Sequence, residues 1–126
     1  MKIIFVVVAV ASLSGCGGGG YGATAPTNQG VNTPPSAGGI SVINNSFSPA
    51  TKSVAVGATV QWAWNSCTGD SYSGLTCTSH SVTFDDGTTS PTQDQGTFNR
   101  TFNAAGTYNY HCLVHGTAMS GSITVQ

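Results

Sequence analysis

From Gly39 onward apolar residues recur at every second position. Val60, Trp62 and Trp64 fall on one side of an extended segment and Thr59, Gln61 and Ala63 on the other, the period of two that a half-buried strand requires. Similar short segments run over 40–43, 53–56, 80–84, 97–102, 107–112 and 120–125. Turn-forming residues separate them, among them Val56-Gly57-Ala58, Asp86-Gly87 and Ala105-Gly106. No stretch carries a helical stripe. About seven short strands over 39–126 predict an all-β, two-sheet antiparallel sandwich. One segment breaks the pattern: Phe98, Arg100 and Phe102 share a parity, so Arg100 either lies at a sheet edge or is displaced by a bulge.

The N-terminal third reads differently. Lys2 precedes an apolar run over 3–13, too short to cross about 30 Å of hydrocarbon as a helix and therefore expected to be a secretory leader. Its end, Leu13-Ser14-Gly15-Cys16, resembles the lipobox of bacterial lipoproteins, which implies cleavage after residue 15 and lipidation of Cys16. Residues 17–38 hold seven Gly, three Pro and no charge, a composition that cannot bury enough apolar surface to offset ordering. The expected organisation is a signal peptide over 1–15, a lipidated Cys and flexible Gly/Pro linker over 16–38, and one folded domain over 39–126. By the same resemblance, Gly17 after Cys16 favours the outer membrane, so the protein is expected to be extracytoplasmic and tethered to a bacterial membrane.

Charge narrows the partners. Only 6% of the 126 residues are charged, against roughly a quarter in an average soluble domain, and the formal net charge is -1. No basic face is available for nucleic acid. The protein is expected to be a monomer.

The four Cys cannot share one role. With Cys16 assigned to the anchor, Cys67 and Cys77, ten positions apart in a Gly, Ser and Thr segment of an exported chain, are expected to pair. Cys112 is left over. It sits in Tyr110-His111-Cys112-Leu113-Val114-His115-Gly116-Thr117-Ala118-Met119, where a thiol, an imidazole and a thioether fall close together. Strand parity puts Tyr108, Tyr110 and Cys112 on one inward face and His80 on the same face as Val82 and Phe84. A His2Cys set with a weak Met suits copper, because soft sulfur favours Cu(I) and imidazole serves both oxidation states. Zinc is the rival metal, although a thioether adds little for zinc.

With these residues in view, the domain resembles the cupredoxins of the plastocyanin and azurin type over essentially all of 39–126. The resemblance lies in the block Gly106-Thr107-Tyr108-Asn109-Tyr110-His111-Cys112, followed by His115, Met119 and Gly121, and in Val82 and Phe84 after His80. It implies a Greek-key β-sandwich of about seven to eight strands, one copper ion, His80, Cys112 and His115 as strong ligands and Met119 as the axial one. Members often carry Asn after the first His and Ser or Thr after the Cys, joined by a hydrogen bond. Here those positions are Ser81 and Leu113, and Leu113 is not expected to supply that bond, which leaves the ligand strands without this tie. In copper nitrite reductases and multicopper oxidases the His before the Cys serves a second copper centre. With three His in the chain, His111 has no imidazole to join and is expected to face solvent.

The function implied is that of a blue copper protein carrying single electrons between extracytoplasmic redox partners, with no enzymatic activity. The edge of His115, among uncharged Leu113, Val114, Gly116 and Ala118, is the expected docking point for a transient redox partner. The Cys67 to Cys77 loop is expected at the metal end, either as a partner-selecting element or as a stapled insertion. The alternative function is copper binding, buffering or delivery in the periplasm.

Overall fold

The computed structural model describes residues 32, 34–70 and 72–126. The expected leader, the Cys16 anchor and the first part of the linker lie outside the described residues.

Ten strands are present among the described residues: β1 (Ile40–Ile43), β2 (Ser46–Ser48), β3 (Thr51–Val54), β4 (Thr59–Trp64), β5 (Cys67–Asp70), β6 (Gly74–Cys77), β7 (Thr83–Phe84), β8 (Thr97–Thr101), β9 (Gly106–Cys112) and β10 (Gly116–Val125). They form one sheet in the order β2-β1-β4-β8, a second in the order β3-β10-β9-β7, and a separate β5-β6 hairpin. The three strands beyond the expected seven are β2, a short return after Asn44-Asn45, and the β5-β6 pair inside the Gly, Ser and Thr segment.

The purely antiparallel expectation is corrected. β1 runs parallel to β4, with Ile40 opposite Trp62 and Val42 opposite Trp64, and β3 runs parallel to β10, with Thr51 opposite Ser122. Alternation dictates which side chains face inward, and a strand presents the same face whichever direction its neighbour runs. Nothing in a period of two distinguishes the two pairings.

The core lies between the sheets. Trp62, Trp64, Ile40, Val42 and Ile123 are fully buried, with Tyr110, Phe102 and Val60 nearly so. Ala63, on the expected polar side of β4, is buried too. Trp62 is central, meeting Phe84 edge-on at 5.6 Å and Tyr110 at 5.4 Å between ring centroids. Each such ring contributes roughly 1.5–3 kcal/mol through burial, with about 0.5–1.5 kcal/mol more for a well-oriented aromatic pair. Burial also pushes the Tyr110 hydroxyl up to about 12. Gly121 makes room for that ring: a Cβ there would stand 2.5 Å from Tyr110 Cζ and from the Ala50 carbonyl. Tyr110 in turn places Cys112 two residues along the same inward face.

Arg100 lies on β8, an outer strand, in an uninterrupted register opposite Val60. Of the two alternatives, the edge is therefore realised and the bulge is not. Its guanidinium sits 4.1 Å over the Phe84 ring and pairs with Asp86. The end of the expected linker is also held: Asn32 Nδ2 donates to the Cys67 carbonyl, Cys67 N donates back to Asn32 Oδ1, both at 3.1 Å, and Ser36 N donates to Gln61 Oε1 at 2.8 Å.

Candidate metal centre

β9, β10 and the turn between them carry three of the expected ligands on one hairpin. β9 ends at Cys112, directly opposite Gly116 at the start of β10, and the three residues Leu113, Val114 and His115 turn the chain between them. Gly116 takes a φ of 61°, a left-handed conformation that costs glycine little and lets so short a loop close. The turn returns His115 to Cys112, with Nδ1 3.6 Å from Sγ. Between Gly116 and Ser120 the ladder slips register, and Met119 falls in that irregular stretch. Met119 is 1% exposed and belongs to the same buried cluster as Cys112.

His80 arrives by another route. Only Thr83 and Phe84 of the expected 80–84 strand pair with β9; His80 forms an isolated antiparallel bridge with Gln93. His80 N donates to the Gln93 carbonyl at 2.9 Å and Gln93 N to the His80 carbonyl at 3.0 Å. A little further on, Val82 N donates to Ser90 Oγ at 2.9 Å and Ser90 N to the Val82 carbonyl at 2.9 Å. These bonds turn His80, Val82 and Phe84 inward although most of the segment is not regular strand. His80 is fully buried.

Three donors converge. His80 Nδ1 is 3.2 Å from His115 Nδ1 and 3.8 Å from Cys112 Sγ, and the ligand atoms of the trio all lie within 4.8 Å of one another. Two facing Nδ1 atoms can share at most one proton, so at least one lone pair points into the space between them. Burial, reinforced by the neighbouring His115, pushes the His80 imidazole below its ordinary value and favours its neutral, donor form. Nitrogens about 2.0 Å and sulfur about 2.3 Å from one ion, at angles between tetrahedral and trigonal, stand roughly 3.3–3.7 Å apart. The observed separations fit one metal ion. Among the described residues no other set of three such donors comes together.

The surroundings orient the sulfur. Ser81 N donates to Cys112 Sγ at 3.4 Å, and Ser81 Oγ accepts from Leu113 N at 2.9 Å. The expectation that Leu113 cannot supply the tie is corrected: the two ligand segments are joined through its main chain. The serine hydroxyl supplies the acceptor and the Leu113 main chain the donor, a bond to which the Leu113 side chain is irrelevant. Trp64 is recognisable from alternation as an inward core residue, but its second role is not: indole Nε1 donates to the His80 carbonyl at 3.0 Å. His115 is half-buried, with Leu113 and Val114 exposed beside it. His111, on the outer side of β9, has Nδ1 4.0 Å from Asp85 Oδ1 and a partly exposed ring. Cys67 and Cys77 lie opposite each other in the β5-β6 hairpin with their sulfurs at bonding distance, 2.09 Å.

Residues 39–126 match the family model described as copper binding proteins, plastocyanin/azurin family. Among solved structures, the chain is similar to a purple cupredoxin from Nitrosopumilus maritimus, with 22% identity and a TM-score of 0.56, over 69% of this chain and 97% of that one. It is likewise similar to oxidized plastocyanin from Dryopteris crassirhizoma, at 21% identity and a TM-score of 0.52, over 69% and 98% of the two chains. A mutant amicyanin in its reduced Cu(I) form aligns at 26% identity and a TM-score of 0.54, over 71% and 83%. Among curated proteins no sequence match was found. The His, Cys, His and Met group is compatible with one copper ion, and the match to a copper-binding family favours copper over zinc. The chain belongs to the plastocyanin/azurin family of copper-binding proteins.

Proposed function

We propose that this protein carries single electrons between extracytoplasmic redox partners, using copper held by His80, Cys112 and His115 with Met119 as a weak axial ligand. The observation that carries the reading is the convergence of two imidazole nitrogens and one sulfur, drawn from separate segments, where apart from the Ser81 amide on the sulfur they meet only one another. Copper, when bound, supplies a reversible one-electron change that thiolate and imidazole both accommodate. The protein's part is to hold the donors still. The Ser81 amide bond to Cys112 Sγ and the Ser81 to Leu113 tie keep the sulfur oriented, and burial of His80 excludes water from that side. Four protein donors leave no position for a substrate, so no catalytic residue is assigned.

His115 is the ligand that reaches the surface. Its ring, flanked by exposed Leu113 and Val114, offers a small uncharged face for a transient redox partner, and such faces release quickly. With few charges on the chain, encounter depends little on salt. The Leu13-Ser14-Gly15-Cys16 sequence supports export and a lipid anchor on the periplasmic side of a bacterial membrane. Replacing Cys16 with Ser should move the protein out of the membrane fraction.

An optical spectrum of copper-loaded protein tests the central reading. An intense visible sulfur-to-copper band is expected, bleached by reduction with the metal retained, and lost in Cys112→Ser. A pale adduct stripped by a mild chelator would instead favour buffering or delivery.

A further inference from the structure

The ligand turn between β9 and β10 is rigid by virtue of its hairpin, whereas His80 hangs from an irregular segment. That segment is held from both sides in sequence, by Gln93 and Ser90 after it and by Trp64 and Ser66 before it. The His80 carbonyl accepts two bonds, from Trp64 Nε1 and from Gln93 N, each at 3.0 Å, and the Trp64 ring is itself fully buried. Two residues after Trp64, Ser66 Oγ donates to the Thr78 carbonyl at 2.7 Å and Thr78 N donates to the Ser66 carbonyl at 3.3 Å, although 12 positions separate them. Thr78 is two residues before His80. Immediately beyond this junction Cys67 and Cys77 close the β5-β6 hairpin, with Cα atoms 4.0 Å apart. The Cys67 sulfur rests 3.9 Å from the carbonyl of Asp94, next to Gln93, and Asn32 grips the Cys67 main chain from the other side. Both arms that lead to His80, through Thr78 and through Gln93, thus return to the base of one disulfide-closed hairpin.

We propose that Trp64 and the Cys67–Cys77 hairpin base act as a splint that positions the His80 donor, the indole bonding its carbonyl and the disulfide clamping the strand ends on either side. The inference rests on the copper reading of the site. It assigns the hairpin a role in metal retention, carried by its base and not by its tip. Trp64 touches neither metal nor partner and is a positioning residue.

The test uses the full chain. Trp64→Phe keeps an aromatic ring but lacks the N–H, and Cys67→Ser/Cys77→Ser opens the hairpin. Each should speed copper loss to a chelator by about tenfold or more, the usual scale for losing support behind a ligand, and shift the visible band. Tyr72→Ala, at the fully exposed tip, should leave both unchanged. In copper-free protein the His80 and Gln93 amides should exchange with solvent faster in both base variants, while those of Tyr110 and Ile123 keep their protection. Copper retention equal to wild type in both base variants overturns the proposal, as does equal loosening of His80 and Ile123, which marks a general loss of stability. Should Trp64→Phe fail to fold, the disulfide variant gives the same reading, and amide exchange in copper-free wild type reduced with a phosphine checks it. If wild-type protein shows no sulfur-to-copper band, the copper reading fails, and amide exchange still decides whether the splint exists.

Discussion

The two ends of β9 solve opposite problems. Near its start, Tyr108 shares with Phe84 and Phe102 the guanidinium of Arg100, at 5.1, 4.1 and 4.9 Å from the ring centroids, and Asp86 pairs with that guanidinium from the rim. At its other end, Cys112 meets His80 and His115, and the donor atoms have only one another and a single Ser81 amide. A partly exposed cation that is stacked and paired is a closed structural feature. Buried lone pairs aimed at a common point are incomplete until something with empty orbitals and positive charge joins them. Arg100 breaks the alternation of its strand whereas Cys112 keeps to its own, and only the second end is a site. What separates them is whether the polar group finds its partner within the chain.

The sharpest way to break this contrast is to remove each imidazole in turn. His115 is half-buried at the surface and His80 fully enclosed. In His115→Gly, millimolar imidazole should restore the visible band, because a solute can enter from water. In His80→Gly the band should stay absent under the same conditions. Recovery in both variants would mean that the His80 side opens readily to solutes and is not enclosed in solution. Next in size is the effect of the metal on folding. An ion present at about a thousand times its dissociation constant adds roughly 4 kcal/mol to unfolding, less any binding to the unfolded chain. Chemical denaturation with and without copper should show a gain on that order in wild type and none in Cys112→Ser.

That contrast also marks what is legible in the residues alone. Cys112, His115 and Met119 lie within eight positions, and Tyr108, Tyr110 and Cys112 alternate on a regular strand, so spacing and parity are enough to bring the hairpin ligands inward. For His80 alternation gives the right facing but the wrong structure, since only Thr83 and Phe84 are strand and the rest is held by Gln93 and Ser90. The parallel pairings of β1 and β3 are invisible because facing does not encode direction. The Ser81 to Leu113 tie escapes a reading of side chains because its donor is main chain, which every residue other than proline offers. Trp64 reads as core because an indole ring dominates burial, while its one N–H announces no partner in a linear sequence. Asn32 and Ser36 have the composition of a linker around them, yet each makes a specific bond to the domain.

The closed end of β9 should respond to changes that leave the metal end untouched. Arg100→Met keeps a long apolar stem over the rings and removes the charge, which should cost about 1–2 kcal/mol of stability for the lost cation–aromatic contacts and the stranded Asp86. Copper retention and the visible band should be unchanged. Altered colour in this variant would show that the two ends communicate through Tyr108 and Tyr110.

The smallest effect tests the pairing itself. Hydrogen bonding from Arg100, helped by the Thr88 amide, lowers the Asp86 carboxyl to about 2. A carboxyl held below its unfolded value of 3.8 contributes stability that is fully present above that value and disappears as pH falls toward 2, because the unfolded chain takes up the proton first. The Asp86 side chain is 44% exposed, so solvent screening keeps the contribution under about 1 kcal/mol. Denaturant midpoints measured from pH 5 to pH 2 should fall more steeply in wild type than in Asp86→Asn. Asp70, whose carboxyl is also held low, by the Ser73 amide and hydroxyl and then the Tyr72 amide, is common to both proteins and cancels in the difference. Parallel curves would mean that the Arg100 to Asp86 pair adds nothing in solution, and that stacking on Phe84, Phe102 and Tyr108 alone accounts for an arginine against the core.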